Sequence, residues 1–181
     1  MKSKQMVAVV VIMLSFSVWV RMARAAQDKY TVKAPNGVAF SEFRGYEAWQ
    51  TVAVSGTKDG IKTILANSVM IAAYRQGIPG NGKPFPEGAA VVKIEWTKQR
   101  NPVSPYFVEV PDKLKSVSFI EKDSKRFPDT SGWGYGQFLY DPASATFTPY
   151  GKDPSFGKTV CYQCHTIVKN SDYIFTNYPA R

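Results

Sequence analysis

The chain has 181 residues, 44% of them hydrophobic, and a formal charge of +9, which bounds it to one ordinary domain plus a removable leader. Its basic residues are scattered along the chain rather than clustered, which argues against a nucleic-acid surface. There is no internal repeat, low-complexity tract or long linker.

The first 25 residues begin with Lys2 and Lys4, run apolar from Met6 to Val20, and end on "ARA" before Ala26. A basic start, an apolar middle and small residues at the cleavage point make a secretory signal. The apolar run of about 15 residues falls short of the roughly 20 that a spanning helix needs, so cleavage after Ala25 is expected in preference to a membrane anchor. The mature domain is then 26–181 and periplasmic, with no membrane association. Losing Lys2, Lys4, Arg21 and Arg24 lowers its charge from +9 to +5, which suits electrostatic steering toward an acidic redox partner.

In "SEFRGYEAWQTV", Ser41 stands at an N-cap position and Phe43, Tyr46 and Trp49 recur every three residues, which predicts a short helix with an aromatic stripe. "NSVMIAAYRQG" predicts a second helix, capped by Asn67 or Ser68 and closed by Gly77. After the turn-rich "GIPGNGKPFPEG" the period changes to two. In "AAVVKIEW", Val92, Ile94 and Trp96 face one way and Val91, Lys93 and Glu95 the other. "YFVEV", "SVSFIE", "GWGYGQFLYD" and "ATFTPY" follow as short strands separated by turn residues. Sequential strands without intervening helices predict an antiparallel sheet, so the expected class is α+β, rich in β-structure with a few short helices, and not a four-helix bundle.

The chemistry is concentrated in "CYQCHTIVKN". Cys161 and Cys164 bracket two residues and His165 follows directly, the spacing that attaches haem c through two thioethers with the imidazole on the iron. A bare redox dithiol is the alternative, but it gives no role to His165, the single histidine of the chain. One covalent haem c is therefore expected. The second axial ligand is then sought among the remaining residues. Four of the five methionines leave with the signal, and Met70 sits in an apolar helical stripe, where methionine is usually a core filler. A lysine binds iron only as the neutral amine, which requires burial. Subtraction predicts an open distal site.

Four stretches, "FSEFRGYEAWQTVAVS", "GNGKPFPEGAAVVKIEW", "KDSKRFPDTSGWGYGQF" and "CYQCHTIVKNSDYIFTNY", make the chain resemble the cytochrome P-460 family, whose near relatives are the cytochromes c′-beta. The resemblance implies a small periplasmic homodimer built largely from β-structure, with five-coordinate haem c. In the cytochromes P-460 a lysine nitrogen is bonded to a meso carbon of the porphyrin, and hydroxylamine is oxidised. "FPEGAAVVKIEW" places Lys93 at that lysine's position. Read without the family, Lys93 is a strand lysine that would pair with Glu95 or face solvent.

The family resemblance also implies a distal group, a carboxylate in oxidising members and a phenylalanine in gas binders. "SVSFIEKDSKRF" offers Ser118, Phe119 and Glu121; Phe119 and Glu121 share strand parity, and a one-residue slip changes which side chain faces the haem. Both also fit ordinary roles, core packing for Phe119 and exposure for Glu121. Lys125 and Arg126 are candidates for the haem propionates, with a solvated turn as the alternative. The aromatic residues of "GWGYGQFLY" and "DYIFTNY" are candidates for pocket lining or core. Three functions follow: a hydroxylamine-oxidising haem protein passing electrons to an external acceptor such as a small cytochrome c; a nitric oxide binder or scavenger; and a plain electron carrier, for which a sixth ligand is barely available.

Overall fold

The computed structural model describes residues 26–180. The expected signal segment, residues 1–25, lies outside them. Six strands form one antiparallel meander in the order β1 (Gln50–Thr57), β2 (Gly60–Ala66), β3 (Ala90–Arg100), β4 (Glu109–Lys122), β5 (Trp133–Asp141) and β6 (Thr146–Pro149). The class is α+β and not a helical bundle. "SVSFIE" and the last two residues of "YFVEV", Glu109 and Val110, prove to be parts of one long strand, β4. The β1–β2 hairpin adds two strands to those expected, and "TKDG" between two β-branched runs is its sequence signal.

One helix is as the periodicity predicts. In α1 (Ser68–Arg75) the Asn67 side chain caps the start, its Oδ1 accepting the Met70 N–H at 2.9 Å, and Gly77 follows the end at φ +82°. The helix expected over 41–52 is instead two 3₁₀ turns, Phe40–Phe43 and Tyr46–Ala48, after which the chain enters β1. Gly45 separates them at φ +78°, a left-handed value that no helix continues through. The aromatic stripe survives the break: Phe43 and Tyr46 are buried and Trp49 packs against them.

The sheet separates two cores. On one face Val92, Val117, Phe119 and Phe138 pack against Phe40, Phe43 and Tyr46. On the other, Ile64, Ala66, Val91, Trp133 and Tyr135 meet α1, Phe85 and Ile174. "GWGYGQF" shows how sequence sets this division. Trp133 and Tyr135 point to the second core, while Gly134 and Gly136 open the first face to Phe127 and Val38. A Cβ on Gly136 would stand 2.8 Å from Val38 Cγ1.

The β3–β4 register places Val91 opposite Ile120, Val92 opposite Phe119 and Lys93 opposite Ser118. Beyond the neighbouring strands, Lys98, Gln99 and Arg100 pair only with Pro111, Val110 and Glu109, so the hairpin continues as an arm with exposed Val103, Tyr106 and Phe107 at its tip.

Candidate haem site

Alternation along β2–β5 brings Lys62, Ile64, Val91, Lys93, Ser118, Ile120, Tyr135 and Gln137 to one side of a cleft of about 400 Å³. Cys161, Cys164 and His165 form the opposite wall, with Ile174, Phe175 and Thr176 at its end. This volume falls in the ordinary range for a ligand cavity.

The cysteines and histidine lie on a helical segment made of a π-helical turn (Gly157–Tyr162), an α-helical turn (Gln163–His165) and a 3₁₀ stretch (Thr166–Ser171). Gly157 lets this segment lie on β5, since a Cβ there would stand 2.7 Å from Asn36 Nδ2, which itself donates to the Tyr135 carbonyl at 2.8 Å. Cys161 and Cys164 are free thiols. Burial pushes the Cys161 thiol above its ordinary pKa.

His165 Nδ1 donates to the Tyr173 carbonyl at 2.6 Å. That bond fixes the tautomer and leaves Nε2 as the nitrogen with a free lone pair. Burial lowers the imidazole pKa, and the nearby charge of Lys93 lowers it further against the hydrogen bond to Tyr173. The ring is held between Tyr135, at 5.0 Å between centroids, and the edge-on ring of Phe175, at 4.9 Å.

Lys93 is half-buried, not solvated, and has no hydrogen-bond or ion-pair partner among the described residues. Its expected neighbour Glu95 instead takes Lys115 at 2.8 Å and Lys62 at 3.8 Å. Burial depresses the Lys93 pKa, the charge of Lys62 adds to this, and Glu95 opposes it. An amine so placed is nearer its neutral, nucleophilic form than a surface lysine.

The distal expectations separate. The Phe119 ring turns away from the cleft, fully buried, stacked on Phe43 at 4.1 Å between centroids and edge-on to Phe40. Phe119 borders the cleft only as the strand residue between Ser118 and Ile120. Glu121 shares that parity. It pairs with Arg126 at 2.9 Å, and Arg126 also holds Glu42 at 3.1 Å and the Gly37 carbonyl at 3.0 Å. Neither Phe119 nor Glu121 presents its side chain to Lys93, and Arg126 and the exposed Lys125 are likewise turned away from the cleft. The residues of that stretch which do face the cleft are Ser118 and Ile120. Met70, on the inner face of α1, is fully buried in the second core and does not line the cleft.

Two hydroxyls support an occupant with hydrogen-bonding groups. Ser118 Oγ and Tyr135 OH both line the cleft, both are buried, and neither has a hydrogen-bond partner among the described residues. A buried group left so costs about 1–3 kcal/mol, which a bound group offering acceptors or donors would offset. Burial pushes the Tyr135 pKa far up, so its hydroxyl remains a donor. An unpaired amine, two orphaned hydroxyls, two free thiols and an imidazole with Nε2 open, all around one cleft, fit a covalently held haem.

The sequence model of the Cytochrome P460 family matches residues 43–176, most of the chain. The protein belongs to the cytochrome P460 family. The match runs from Phe43 in the first aromatic turn to Thr176 at the end of the cleft, so every residue lining the cleft falls inside it. Membership makes this a haem protein. A comparison with curated proteins gives no match. Reading the sequence alone left Lys62 and Gln137 unnoticed; strand alternation once β2 and β5 are paired is the signal that finds them.

Proposed function

We propose that this protein is a periplasmic mono-haem c protein with an open distal iron face that oxidises hydroxylamine. The observation that carries the reading is the shared cleft of Lys93 and the Cys161–Cys164–His165 motif. Cys161 and Cys164 would hold the haem by thioethers, His165 Nε2 would take the iron, and Lys93 would bond to the ring edge. When bound, the haem supplies an iron site for small nitrogen ligands and accepts electrons one at a time. The residues around it favour neutral His165 and hold an amine closer to its neutral form. Electrons leave to an external acceptor, for which a small cytochrome c with an acidic face is suited by the chain's positive charge.

A second reading, nitric oxide binding without required turnover, is favoured by one observation: among the described residues the cleft is lined by no carboxylate. Hydroxylamine must lose protons as it loses electrons, and a cleft without a carboxylate delivers them to solvent. The test is purified protein given hydroxylamine and a one-electron acceptor, with nitric oxide titrated in parallel. Acceptor reduction with release of nitrogen oxides supports the first reading; tight nitric oxide binding with no acceptor reduction selects the second.

Homodimerisation belongs to the same proposal. The exposed Val103, Tyr106 and Phe107 at the tip of the β3–β4 arm are suited to burial against a second copy. A monomeric mass at micromolar concentration would count against it.

A further inference from the structure

His165 owes its orientation to a carbonyl, and that carbonyl is held in place by charges deeper in the fold. Tyr173, whose oxygen accepts from His165 Nδ1, follows Asp172, and both have left-handed backbones, at φ +63° and +46°. Two successive non-glycine residues in this conformation cost of order 1–3 kcal/mol each, and they persist only where neighbours over-determine them.

The neighbours here are specific. Asp172 Oδ2 accepts the Phe85 N–H at 2.8 Å. Its carboxylate accepts from Lys122 Nζ at 3.2 Å through both oxygens. Lys122 is 7% exposed, lies 4.8 Å from the centre of the Trp133 ring, and donates to the Ser131 carbonyl at 3.0 Å. Ser131 Oγ in turn donates to the Tyr173 hydroxyl oxygen at 2.9 Å. One buried ammonium therefore grips both sides of the turn, Asp172 directly and Tyr173 through Ser131.

We infer that Lys122 and Asp172 are a positioning pair for the proximal histidine, setting the strength of the hydrogen bond from His165 Nδ1 to Tyr173 and through it the electronic character of the iron ligand. The inference rests on His165 being that ligand. An N–H held firmly by an acceptor makes the imidazole a stronger donor through Nε2 and stabilises ferric over ferrous iron. A burial cost this large for one ion pair gains little stability by itself, because desolvation consumes most of the Coulomb attraction. Lys122 is also the last residue of β4, the strand that carries Ser118, so the strand that lines one wall of the cleft also holds the turn that orients His165 on the other.

The test uses full-length holoprotein with Asp172→Asn, Lys122→Met and the double variant. Asn suits the left-handed backbone and can still accept from Phe85, so Asp172→Asn removes the ion pair with the least threat to folding. In each variant, denatured mass first establishes that the haem is still covalently attached. The ferrous iron–histidine stretching band should then move to lower frequency, and the ferric/ferrous ratio at fixed solution potential should shift several-fold toward ferrous. Because both single changes release one tether, the double variant should shift about as far as either alone. If all three carry haem, melt at lower temperature, and keep the wild-type band and ratio, the pair serves stability only and the inference is overturned. Wild-type protein without covalent haem, or without an iron–histidine band, instead overturns the haem assignment, before any variant is compared.

Discussion

Lys93 on β3 and Ser118 on β4 are direct cross-strand partners, and both face the cleft that holds the Cys161–Cys164–His165 motif. A side chain one residue along from either belongs to the opposite core. This single register relationship decides which residues of two strands can reach a haem.

Lys93 is therefore expected to be bonded to the porphyrin. A proteolytic fragment containing Lys93 should remain linked, through haem, to the fragment containing Cys161 and Cys164. Lys93→Leu should keep both thioethers, give the optical spectrum of ordinary haem c, and lose acceptor-coupled hydroxylamine oxidation. The N–C bond would replace a meso C–H bond, with loss of two protons and two electrons to an added two-electron oxidant such as peroxide. Only the neutral amine is nucleophilic, and burial with Lys62 nearby lowers the pKa below the ordinary 10.5. Cross-link formation should accordingly speed up with rising pH and level off below pH 10.5. Separate fragments in the wild type would remove Lys93 from the site chemistry.

Glu121 should give stability a distinct pH signature. Burial raises its pKa from 4.5 to about 7, helped by Glu42; Arg126, shared with Glu42 and Asp123, lowers it only in part. The folded-state pKa lies above the unfolded one. The folded carboxyl therefore keeps its proton where the unfolded one has lost it, and the stability present below pH 4.5 is lost as pH rises through about 7. The loss is at most about 3 kcal/mol. Glu121→Gln should flatten urea midpoints across this window and leave nitric oxide affinity unchanged. A midpoint profile as steep as wild type would show that Glu121 does not titrate there.

Much of this was legible in the sequence because it is carried by local patterns. The spacing of Cys161, Cys164 and His165 names its own chemistry, and the alternation around Lys93 identifies its face without any partner strand. The distal side was not legible, because parity within β4 says that Phe119 and Glu121 go together but not which core receives them. That choice is made by Phe40 and Phe43, some 75–80 positions earlier in the chain, which supply the aromatic surface that Phe119 stacks on. The helix expected over 41–52 failed for a local reason, the left-handed backbone at Gly45. Asp172 read only as part of a family-like ending; its role depends on Lys122, Phe85 and Ser131, which no sequence spacing connects.

Phe119 is expected to behave as a core residue. Phe119→Ala should cost about 3–5 kcal/mol of unfolding free energy, as truncation of a fully buried aromatic does. The folded fraction should bind nitric oxide with wild-type affinity. A large change in affinity with unchanged stability would place the ring over the iron after all.

Ser118 is the position from which the distal chemistry can be altered. Its Oγ is buried, unpartnered and in register with Lys93, and the cleft holds no carboxylate among the described residues. Proton loss from bound hydroxylamine then depends on solvent bases, so wild-type oxidation should be slow and should accelerate with buffer concentration at fixed pH. Ser118→Asp places a carboxylate at that register point. A positioned base typically contributes about 10²–10⁴-fold, so even an imperfectly aimed one should raise the rate by roughly tenfold and suppress the buffer dependence. Ser118→Asn, with similar volume and no base, should do neither. If Ser118→Asp binds haem and nitric oxide normally yet leaves rate and buffer dependence as in wild type, the reacting nitrogen does not sit above Ser118, and Tyr135 and Gln137 on β5 become the residues to vary.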